Sequence, residues 1–178
     1  MKALKTLMVG IVFVLGLAGL TFAQTTASQT VTMQISAISV LGVTGNPAAL
    51  TVTAPALGGD LPDNPTSNTT YARYTSTVAA GVTRRLQANW GVADGAPAGC
   101  QLQLTATPAG LPNQGSSSGQ ITMTSTATNI VTGIGSCATG TTATSGAQLA
   151  YVLSVDTMTA LVAGDNHVVT ITLTLTDN

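Results

Sequence analysis

The side chains that could carry acid–base, metal or thiol chemistry are few. One histidine, His167, six aspartates and two cysteines occur in 178 residues that contain no glutamate. Hydrolysis by paired carboxylates needs two acids held at a set separation. Asp60, Asp63, Asp94, Asp156, Asp165 and Asp177 all fall in predicted loops or at strand ends, where Asp is ordinary turn chemistry. A Ser-His-Asp relay would have to use His167 at the mouth of a predicted hairpin, with no strained strand-to-helix elbow to present a serine. Asp60, Asp63 and Asn64 offer oxygen atoms of the kind Ca²⁺ prefers, but without the spacing of a defined calcium loop. Two isolated thiols and one imidazole likewise lack metal-ligand spacing. The expectation is a non-catalytic chain with no metal and no cofactor.

The elements around these residues begin with an address. Met1-Lys2-Ala3-Leu4-Lys5 carries both lysines, Leu7 to Leu20 is almost unbroken apolar sequence, and Thr21-Phe22-Ala23 precedes Gln24. A basic start, a short apolar run and a small-x-Ala site read as a secretory signal peptide over residues 1–23, cleaved after Ala23. The run is short for a bilayer span of about 20 residues, so no transmembrane segment is expected in the mature chain. In an exported protein Cys100 and Cys137 are expected to form a disulfide. Closing a loop of about 37 residues would be worth on the order of 3–4 kcal/mol in the chain-entropy model.

Residues 24–178 have the length of a single domain. Once Lys2 and Lys5 leave with the signal, Arg73, Arg84 and Arg85 face six aspartates, a formal charge of −3. One Arg84-Arg85 pair is not the clustered cationic surface that phosphate backbones require, so nucleic acid is excluded as a partner. Trp90, Tyr71, Tyr74 and Tyr151 are the aromatics that remain.

The periodicity is that of strands. In the closing run Val169, Ile171, Leu173 and Leu175 alternate with Thr170, Thr172, Thr174 and Thr176, which places aliphatics on one face and hydroxyls on the other. It is expected to be a core strand, entered by a hairpin turn at Gly164-Asp165-Asn166. The same grammar marks Leu50 to Ala54, Tyr71 to Val78, Thr83 to Trp90, Leu102 to Ala106, Ile121-Met123, Ile130 to Ile134 and Leu149 to Val155. Residues 57–69 and 111–119 read as loops, and Asp156 as the cap of one helical turn. Near the start, Val31, Met33 and Ile35 alternate with Thr32 and Gln34 as a first strand. It can pair within its own sheet or add to a neighbour's. Trp90 shares a face with Leu86 and Ala88; it is expected in the core, with a ligand-stacking platform as the other reading.

About nine short strands without an amphipathic helix predict an all-β antiparallel β-sandwich, Ig-like or jelly-roll-like. The segment Thr128 to Cys137, with its Ile130-Val131-Thr132-Gly133-Ile134-Gly135-Ser136-Cys137 core, and the closing Leu173 to Asn178 resemble a group of uncharacterised small secreted bacterial proteins. That resemblance implies export and agrees with cysteine pairing. The whole chain is broadly similar in fold and composition to pilus-type and spore-coat-type sandwich subunits. The function expected is a secreted or cell-surface structural protein that associates with itself or with other surface proteins. A carbohydrate- or surface-binding module using Trp90 is the alternative. Ice binding through the threonine rows is a third reading, disfavoured because sandwich sheets twist.

Overall fold

Alternation in sequence becomes alternation in burial. In the computed structural model, which describes residues 28–92 and 95–178, strand β9 (Ala147–Val155) buries Ala147, Leu149, Tyr151 and Leu153 and turns Gln148, Ala150, Val152 and Ser154 outward. Strand β3 (Arg84–Trp90) buries Arg84, Leu86 and Ala88, and strand β4 (Cys100–Thr107) buries Leu102, Leu104 and Ala106. The predicted signal peptide, residues 1–23, lies outside the described residues. Ser36–Asn178 form one unit, and residues 28–35 belong to another.

The remaining strands are β1 (Ile38–Val43), β2 (Thr66–Thr77), β5 (Gln114–Ser117), β6 (Gln120–Thr122), β7 (Thr128–Ile134), β8 (Cys137–Ala138) and β10 (Ile171–Asp177). They form two antiparallel sheets, the all-β sandwich expected from the pattern. The larger runs β1-β2-β9-β4-β6, with β8 also paired to β2; the smaller runs β10-β3-β7-β5. Leu86, Leu104, Met123, Ile130, Val131, Ile134 and Leu149 fill the space between them. Where β9 ends, β8 takes over as the neighbour of β2. Gly146 permits that handover: its φ is +102°, and a Cβ there would collide with the Ala72 carbonyl.

Four expectations change. Leu50 to Ala54 is not a strand, and β5 lies inside the Gly/Ser-rich stretch read as a loop. Asp156 caps nothing: a single 3-10 turn, Met158–Ala160, starts from Thr157 without a side-chain cap, and the Asp156 carboxylate instead accepts the Ser154 hydroxyl at 3.1 Å. The closing strand makes no hairpin with β9. It crosses to the other sheet, pairs with β3, and forms that sheet's edge, so Ile171, Leu173 and Leu175 are only half-buried.

One polar bond crosses the core. The Tyr74 hydroxyl donates to the Gln114 main-chain carbonyl at 2.6 Å, joining β2 to β5. Burial first, and the nearby Cys137 second, push the Tyr74 phenol well above its ordinary 10.0. A folded value above the unfolded one means that this stabilisation is complete below about pH 10 and is lost as pH rises through the alkaline range. Tyr74→Phe should cost about 1–2 kcal/mol at neutral pH, because it strands a buried carbonyl. It should also flatten the loss of stability above about pH 10; denaturant melts in a pH series check both.

Candidate functional site

His167 shares its Nδ1 with the Gly95 carbonyl at 3.0 Å and its Nε2 with Asp165 at 3.1 Å, a surface arrangement. Asn64 accepts the Val155 N–H at 2.9 Å and thereby anchors its loop to the end of β9. No group of three or more His, Cys, Asp or Glu that could hold a metal occurs among the described residues. Gly115-Ser116-Ser117-Ser118-Gly119 does spell the letters of a serine elbow. Ser117, however, ends β5, no helix follows, and its hydroxyl accepts the Gly119 N–H at 3.2 Å, which makes it a strand turn.

The expected Cys100–Cys137 disulfide is not formed; both cysteines are free. Cys100 opens β4 opposite Val155, at one end of β9. Cys137 faces Ser76, beyond the opposite end of β9, where Ala147 meets Ala72. Roughly twelve residues of strand rise separate them, on the order of 40 Å at ~3.3 Å per residue. Bridged Cα atoms lie within ~7 Å. Both thiols are raised above the ordinary value: Cys100 by burial and then by Asp156 and Asp165, Cys137 by burial. They are thiols, not thiolates, at neutral pH. Cys100→Ser should therefore leave the melting temperature within ~1 °C of the parent, in oxidising and reducing buffer alike. A drop confined to oxidising buffer would restore the bridge.

What the fold does leave open is one flank of the sandwich. On the far side the chain itself sews the sheets together. β5 passes directly into β6, Met123 N–H donates to the Leu102 carbonyl at 2.8 Å, and Trp90 N–H donates to the Thr124 carbonyl at 3.1 Å. On the near side β1 and β10 are edges of different sheets. β1 pairs only with β2 and β10 only with β3. Their inward residues come from the register. Leu41 and Val43 lie opposite the buried Tyr74 and Ala72; Ile171, Leu173 and Leu175 lie opposite Trp90, Ala88 and Leu86. All are partly or well exposed, Val43 at 45 %. Trp90, at the β3 terminus, is half-buried against the core at the Ile171 end of this flank.

The other end is closed by Arg84. This inward-pointing side chain, 8 % exposed, donates from Nε to Asp177 Oδ1 at 2.7 Å. From Nη1 it donates to the Ile38 carbonyl and, at 3.4 Å, to Ser76 Oγ. One cation thus gathers the start of β1, the end of β10 and the end of β2. The Thr77 hydroxyl fixes the same corner, accepting Ile38 N–H at 2.6 Å and donating to the Ser36 carbonyl at 2.9 Å. Period two puts Arg84 on the same face of β3 as Leu86 and Ala88; the groups it meets there come from the register.

Residues 28–37, which contain the expected first strand, belong to no strand, and Val31, Met33 and Ile35 are 65 %, 87 % and 87 % exposed. No helix among the described residues is long and apolar enough to cross a membrane. No protein-family model, no curated protein and no solved structure matches the chain.

The Arg84 corner makes an ordered prediction. Arg84→Met should cost about 1–3 kcal/mol, since it leaves a part-buried carbonyl and the buried Ser76 hydroxyl without their donor. Asp177→Asn should cost under ~1 kcal/mol, because Asp177 is 71 % exposed and its pairing is solvent-screened. Equilibrium denaturation of the two variants checks the order.

Proposed function

We propose that this chain is an exported, non-catalytic structural protein that assembles into a filament, coat or matrix at or beyond the cell surface. The observation that carries the reading is the leader: three apolar side chains at period two, in a stretch free of charge, proline and glycine, held in solvent outside any strand. Exposing three such side chains in a row is costly to a monomer. It becomes useful when a neighbour's sheet accepts them, because an added strand gains main-chain hydrogen bonds and side-chain pockets together. The single-sandwich fold, the scarcity of charge and the terminal sequence that reads as a signal peptide agree with such a role.

Protein recovered from the surface or medium of producing cells should elute from size-exclusion columns as large species and show regular fibres or sheets by negative-stain electron microscopy. Chains lacking residues 24–35 should elute as folded monomers. A parent protein that remains a monomer at every concentration overturns the reading.

A further inference from the structure

We propose that the open edge of β10, on the flank it shares with β1, is the acceptor for the leader of a second copy of this chain, residues 29–37, with Val31, Met33 and Ile35 seated toward the core. The inference rests on the assembly reading and adds the partner surface to it.

The first argument is spacing. Val31, Met33 and Ile35 span five residues at period two, as do Ile171, Leu173 and Leu175 on β10. A strand rises about 3.3 Å per residue, so a leader laid beside β10 matches that row side chain for side chain. The second is the state of the receiving edges. Neither β1 nor β10 has a second strand neighbour, and their inward apolar residues are incompletely covered. An unpaired edge with an aliphatic row, such as Ile171–Asp177, invites pairing unless something covers it. One inserted strand would satisfy its open main chain and bury both rows at once.

The third argument is polarity. Arg84 ties β1 to β10 at the Ile38–Asp177 corner, so the incoming strand runs along β10 from the Trp90–Ile171 end and stops at that corner. Neither partner brings a charge to the contact except the already paired Arg84 and Asp177. Recognition is therefore apolar and main-chain, and should be insensitive to salt. The contact joins two different surfaces of one chain. It is heterologous, and such contacts propagate into open filaments unless the rotation closes.

The test uses the exported chain carrying Met33→Asp, a change at an exposed position that spoils the donor and leaves the acceptor intact. A synthetic peptide of residues 29–37, at saturating concentration, should raise its melting temperature by ~5 °C. It should also slow hydrogen exchange in Ile171–Asp177; the same peptide with Asp in place of Met33 should do neither. No effect of the parent peptide, or protection confined to other strands, overturns the proposal. So does a dimer of the Met33→Asp chain that protects β10 without peptide, which would put a second β10 there. If the peptide protects β10 but the parent never forms fibres, the acceptor stands and the filament reading falls. If the Met33→Asp chain makes fibres like the parent's, the filament reading stands and the acceptor falls.

Discussion

The sandwich is organised by a charge placed where charge is hardest to keep. Arg84 occupies an inward position of β3, the face that Leu86 and Ala88 give to the core. A guanidinium taken out of water must be hydrogen-bonded and paired. The groups that meet this requirement are drawn from three other strands: the Ile38 carbonyl of β1, the Ser76 hydroxyl of β2 and the Asp177 carboxylate of β10. Satisfying the one cation brings two sheet edges to a common corner. Along the rest of that flank the inward aliphatic residues of the two edges remain partly exposed.

The contrast with the opposite flank is one of connectivity. Between β5 and β6 the link is so short that one sheet hands the chain straight to the other. Main-chain bonds from Met123 and Trp90 stitch the crossing. The Tyr74–Gln114 bond adds a polar tie through the middle of the core. With so few large aromatics and so many alanines in its interior, among them Ala72, Ala88, Ala106 and Ala147, the domain gains little from each buried residue. In such a domain an unclosed flank is a substantial share of the apolar surface still to be buried.

How much of this could be read beforehand varied by element, for identifiable reasons. β3, β4 and β9 were legible because each buries one face against the other sheet, so their period of two survives intact in the residues. β5 was hidden. Its Gln-Gly-Ser-Ser sequence has turn composition, and it is a strand only because β7 lies beside it to bond with. The reverse held for Leu50 to Ala54, which alternates but finds no neighbour. The leader alternates too and stays unpaired, since a pattern states what a strand would bury and not whether a sheet is there to receive it.

The sequence by itself determined the class of fold, the faces of the central strands and the scarcity of groups able to do chemistry. These are local properties, set by side-chain period and composition. Tertiary structure alone decided that Cys100 and Cys137 lie at opposite ends of the large sheet. It also decided that Arg84 is shared by β1, β2 and β10, and that the threonine-rich last strand is an edge. Each depends on which strand pairs with which and in what register. That is a choice among long-range pairings that residues far apart in the chain make jointly, and no window of sequence contains it.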